Sequence, residues 1–75
     1  MIKQAAILQH GIIYKGKRHK DIYMANKNVL RRKDSEEGFI TKGGMFVDRE
    51  TAADIAYMTG QIKEPTDKLK SEDLY

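Results

Sequence analysis

A small α+β domain is what this 75-residue sequence predicts. Two β-hairpins form an antiparallel sheet and two α-helices follow them, in the order β-β-α-β-β-α, with an extended C-terminal tail. Three observations carry that expectation. Short runs of β-formers flank glycine-bearing gaps at Gln9-His10-Gly11 and at Lys42-Gly43-Gly44, and glycine supplies the positive φ of a tight hairpin turn. Each hairpin is followed by apolar residues at helical spacing. The second of these segments is bracketed by Asp48, placed as an N-cap, and Gly60, placed as a C′ glycine.

In chain order, residues 2–8 read as a strand with Ile2, Gln4, Ala6 and Leu8 on one face and Lys3, Ala5 and Ile7 on the other. Ile12-Ile13-Tyr14 returns as its partner. A helix over residues 19–30 follows from Ile22, Tyr23, Asn26, Val29 and Leu30, one stripe interrupted only by Asn26. The charged stretch Arg31 to Glu37 lacks apolar periodicity and reads as a surface loop. Phe39-Ile40-Thr41 and Met45-Phe46-Val47 form the second hairpin, with Phe39 facing Phe46 across it. The second helix buries Ala52, Ile55, Ala56 and Thr59, and Asp48 caps it through the N–H of Glu50 or Thr51. Residues 1–62 make one compact domain. Pro65 blocks helical continuation, so residues 63–75 are expected as a tail, mobile over 63–70 and docked at its Leu74-Tyr75 end.

A chain this short buries little surface, and it has no cysteine to staple it. Homo-oligomerisation is the expected remedy. No apolar run reaches the roughly 20 residues that cross a bilayer, and no signal-peptide pattern opens the chain. Charge divides it in two. Up to Lys33 there are nine basic residues against one acid, a net +8; from Asp34 there are five against ten, a net −5. A basic half invites an anionic ligand, or subunits meeting head to tail; plain solvation of a small surface is the bland counterpart.

Few residues point to catalysis. Neither Ser35 nor Ser71 has a histidine near it in sequence, and His10 and His19 are too isolated to define a metal site. The expectation is a protein that is not an enzyme and uses no cofactor. The strongest binding candidate is Lys17, Arg18 and His19 at the start of the first helix, where unpaired N–H groups and full charges receive phosphate. A solvated basic turn explains the same residues. Arg49, a base in a first helical turn where acids are favoured, is a second phosphate candidate or the partner of Glu50 or a tail acid. Tyr14 and Tyr23 are candidates for stacking on a base, or half-buried packing.

Arg18-His19 with Ile22, Gly38-Phe39-Ile40-Thr41, Phe46-Val47-Asp48-Arg49-Glu50, Ala53, Ile55-Ala56, Gly60-Gln61-Ile62 and Ser71-Glu72-Asp73-Leu74-Tyr75 together resemble a family of small proteins of tailed phages and prophages. The resemblance covers about residues 10–75 and implies viral origin and work in the host cytoplasm. Small, oligomeric phage proteins without catalytic residues commonly counter host defence. The function it implies here is sequestration of a nucleotide alarm signal, a cyclic nucleotide or a cyclic ADP-ribose-like species. In that reading Lys17, Arg18, His19 and Arg49 hold phosphate, and Tyr14 or Tyr23 stacks on the base. A module that inhibits a host protein is the alternative, and a nucleic-acid-binding accessory protein the third, disfavoured by the acidic second half.

Overall fold

The computed structural model describes residues 1–74 and shows the α+β architecture. Strands β1 (Ile2–Gln9), β2 (Ile12–Gly16), β3 (Ser35–Thr41) and β4 (Phe46–Asp48) form one sheet in the order β2-β1-β3-β4, every neighbouring pair antiparallel. Helices α1 (His19–Ala25) and α2 (Arg49–Met58) lie on one face of it. Short 3₁₀ turns at Arg32–Asp34 and Ser71–Asp73 complete the chain. The β1–β2 turn is the two residues His10 and Gly11, with φ of 52° and 77°, the twist-matched turn for a two-residue hairpin.

The core lies between sheet and helices. Ile2, Ala5 and Ile7 of β1 and Phe39 of β3 meet Ile22 of α1 and Ala52, Ala53 and Ala56 of α2. Three alanines in α2 let its backbone approach the sheet closely, and Phe39, wholly buried, fills the space between. Ile2 shares this face with Ala5 and Ile7, against simple alternation, because the β1–β3 register shifts between Ile2 and Gln4. The extra residue of a bulge flips the parity of everything before it.

α1 is shorter than its apolar spacing predicts. Asn26 leaves helical geometry at φ −126°, and its side-chain amide donates to the Ile22 carbonyl, 2.9 Å. An amide that competes for backbone partners in this way ends helices. Leu30 still reaches the core through a turn, while Val29 is exposed. In the second hairpin the loop takes Met45, so Phe39 pairs with Val47 and Phe46 with Ile40. Phe46 therefore lies on the opposite face from Phe39, across Gly38.

α2 has both of its expected ends. Asp48 Oδ1 accepts from the Thr51 N–H at 2.7 Å. At the other end Gly60, at φ 79°, lets Gln61 N–H reach the Ala56 carbonyl at 2.8 Å and Gly60 N–H the Tyr57 carbonyl at 3.2 Å, the paired bonds of a Schellman ending. Gln61 then borders the sheet: its side chain donates to Ile2 O at 2.9 Å and accepts from Ile2 N. Gln9 does the same service at the far end of β1. It donates to Val29 O and accepts from Arg31 N and Ser35 Oγ, which fixes the connection between α1 and β3.

The segment after Gln61 has no helix or strand until Ser71, yet it is held. Leu69 is wholly buried in the core and Leu74 packs against it. Tyr75, the other half of the expected docking end, lies outside the described residues.

Candidate functional site

β4 stops opposite Gly38, so the first half of β3 has no neighbour on that side. The chain fills the gap with the start of α2 and the returning tail. Arg49 and Leu69 exchange two bonds there: Leu69 N–H donates to the Arg49 carbonyl at 3.0 Å, and Arg49 Nε donates to the Leu69 carbonyl at 3.0 Å. This brings Lys70, Ser71 and Glu72 beside the start of α1, and a cleft of about 220 Å³ opens between them.

His19 anchors the wall. Its Nε2 lies 2.8 Å from the Gly38 carbonyl, which can only accept, so Nε2 carries the hydrogen. Nδ1 then accepts from the Ser71 hydroxyl at 2.8 Å, and that same oxygen accepts the His19 backbone N–H at 3.1 Å. The ring also meets Phe39 edge to face, 5.0 Å between centroids. Ser71 therefore has a histidine neighbour after all, supplied by a residue 52 positions away. It is buried and caps the start of α1 in place of Arg18, whose side chain makes no cap bond. One of the N–H groups that a phosphate would use at that helix start, that of His19, is therefore taken.

The rest of the cleft is charge. Lys20, Arg32, Arg49 and Lys70 supply four cationic groups; Glu37 and Glu72 supply two carboxylates. Glu37 sits between the arginines, 3.7 Å from Arg32 and 3.8 Å from Arg49. Both separations exceed an N–H···O hydrogen bond, so these are loose ion pairs that leave the cleft with a net positive charge. Arg49 thus pairs with Glu37 and the tail backbone, instead of with Glu50 or a tail acid. Tyr23, one helical turn after His19, also lines the cleft, and the Arg32 guanidinium lies 4.3 Å over its ring. Burial, then the nearby Glu37 carboxylate, raises the Tyr23 phenol above its ordinary 10.0, so it stays a neutral hydrogen-bonding group.

Of the residues singled out from sequence, the fold brings His19, Tyr23 and Arg49 together. Lys17 and Arg18 lie on the exposed turn before α1, and Tyr14 packs against the core from β2; none of the three lines this cleft. Lys20, Arg32, Glu37, Lys70, Ser71 and Glu72 line the cleft as well and are not among the binding candidates that the sequence offers. Strand parity holds the one signal for Glu37, two residues before Phe39 and hence on its face. Lys20 and Tyr23 share a helical face at i, i+3. Nothing local marks Lys70 or Ser71.

Among the described residues no group of three or more His, Cys, Asp or Glu side chains is arranged to hold a metal ion, and no helix is long and apolar enough to cross a membrane. Fold and cleft together define a small α+β domain whose chain end closes a cationic pocket. The family model for the phage T4 y16D protein matches residues 1–75, and the chain belongs to that family of small phage proteins. Comparisons with curated proteins and with solved structures give no match.

Proposed function

We propose that this phage protein binds a small phosphorylated nucleotide in the cleft and holds it without turning it over, keeping a host defence system from its alarm signal. One observation carries the reading: four cationic side chains and two carboxylates line one cleft, and two of the cations, Arg32 and Arg49, flank the loosely paired Glu37 beside the ring of Tyr23. Arginine forks suit phosphate, and two of them flank the same point. A phosphate entering between Arg32 and Arg49 takes over their attraction from Glu37. Tyr23 and the guanidinium already stacked on it offer a flat surface to a base.

The cleft is smaller than the roughly 300–1,000 Å³ that encloses a drug-sized ligand. A nucleotide is therefore held by its phosphate end, with the remainder projecting. His19 in this reading is a positioning residue, since both ring nitrogens serve the tail and the sheet. The protein acts in the host cytoplasm, where such signals are made, and works as a homo-oligomer. Catalysis is not part of the proposal, because Ser71 is buried and its oxygen also accepts the His19 backbone N–H.

Thermal-shift titration against linear and cyclic nucleotides tests this. A ligand at a hundredfold above its Kd adds about 2.7 kcal/mol of stability, a readily visible rise in melting temperature. Silence across the panel would remove the reading.

A second reading is favoured by the exposed Met24, Met45 and Met58: a module that docks on and inhibits a host protein, since methionines suit adaptable contact surfaces. Capture of one defined host protein, with no nucleotide shift, would select it.

A further inference from the structure

The helices cover one face of the sheet, and the opposite face is chemically ordered. In the strand register Ala6 stands opposite Lys15 on β2 and Gly38 on β3, and Gly38 stands opposite Asp48 on β4. This central row has two minimal residues in its middle, a cation at one end and an acid at the other. The row on one side runs Ile13, Leu8, Glu36; the row on the other runs Gln4, Ile40, Phe46. Ala6 and Ile40 are buried without belonging to the core beneath the helices, and the Phe46 ring lies over Gly38. Ile13 is 40% exposed. Leu69 and Leu74 of the tail pack against the core on the helix side.

We infer that this face joins a second copy of the chain, sheet against sheet, about a twofold axis parallel to the strands. When two identical sheets pack face to face with their strands aligned, the axis runs either across the strands or along them. An axis across the strands through this central row sets Lys15 over Lys15, and like charges meet. An axis along the strands sets β2 of one copy over β4 of the other, so Lys15 faces the partner's Asp48 and lies one row from the partner's Glu36.

Stacked sheets pack about 10 Å apart, a gap that an extended lysine and a carboxylate together span. Such aligned packing is the ordinary way two sheets meet. Ala6 at the centre carries only a methyl group, and the Phe46 ring over Gly38 offers an aromatic surface beside it. Asp48 spends one oxygen on Thr51 N–H, so the exposed Glu36 carries much of the contact. Symmetry makes each contact twice. A closed pair of this kind also covers Ile13 and the half-buried Leu8 and Phe46 of this face. The cleft lies on the helix side and stays open in the pair, so this inference is independent of the ligand.

Sedimentation equilibrium on wild type, Lys15→Glu and the double variant Lys15→Glu/Glu36→Lys tests it. All sites are exposed, and far-UV circular dichroism checks that each chain is folded. The expected result is a wild-type dimer and a dissociation constant raised about tenfold or more by Lys15→Glu, since like charges then meet. The double variant recovers part of the lost association, because the signs of the contact between positions 15 and 36 are exchanged while Asp48 keeps its own. A wild-type monomer at all concentrations would overturn the inference. So would a dimer indifferent to Lys15→Glu, or a double variant weaker than the single one.

Discussion

Ser71 joins three parts of the molecule through one oxygen: it caps α1, orients His19, and through that ring reaches the carbonyl of Gly38. Removing the hydroxyl leaves the His19 N–H and Nδ1 without it in a buried place. Ser71→Ala is expected to cost about 1–3 kcal/mol, read as a lowered midpoint in urea. A change below about 0.5 kcal/mol would mean that water replaces the serine. Arg49 divides its work between the Leu69 carbonyl and Glu37, so its truncation affects both stability and charge. Arg32 does not share that ambiguity. Its side chain is 75% exposed, and substitutions at such positions usually stay within about 0.5 kcal/mol.

At the scale of elements, the ends of α2 were readable from sequence and the length of α1 was not. Asp48 and Gly60 act within one helical turn, where local residue types decide the geometry. Asn26 also acts locally, but whether its amide faces solvent or turns back on Ile22 depends on how the following turn docks Leu30. The bulge at the start of β1 and the true partner of Phe46 are matters of register, which a single strand does not carry. The pH dependence of α2 follows from its cap. Bonding from Thr51 holds the Asp48 carboxyl below its ordinary 3.8. A depressed carboxyl contributes stability that is complete above the ordinary value and is lost as pH falls through the lower one. Unfolding between pH 2 and 5 is therefore expected to show a loss that Asp48→Asn flattens, since asparagine caps without titrating.

Leu69 belongs to the same scale, as a large side chain of the tail that is wholly buried in the core. Leu69→Ala is expected to destabilise the domain by about 2–5 kcal/mol, with faster amide exchange across residues 66–74. An ordinary surface-like cost below about 0.5 kcal/mol would show that the tail is not part of the cooperative unit. In the sequence Leu69 stands alone among Lys68, Lys70 and Asp67, and no periodicity singles it out.

For the whole molecule, the division into a basic and an acidic half takes on a physical meaning. Folding lays the acidic half's Glu37 and Glu72 among cations drawn from both halves, so the cleft is less positive than the first 33 residues alone. The candidate site was legible only in part for the same reason. Arg49, His19 and Tyr23 carry local oddities, a base at a helix start and ring side chains one turn apart. Lys70 and Ser71 enter only because Leu69 is pulled into the core and carries its neighbours along. The sheet's uncovered face follows from size: two short helices cover one side of four strands and no more.

Calorimetric titration of wild type and Arg32→Ala tests most directly the proposal that the cleft holds the phosphate of a nucleotide. With the best ligand of a cyclic and linear nucleotide panel, wild type should bind with one saturable heat per cleft. Arg32→Ala should bind about 10- to 100-fold more weakly, the worth of one hydrogen bond to a charged group, with an unchanged unfolding midpoint. Equal affinity in the two proteins, or no heat from wild type with any member of the panel, would contradict it.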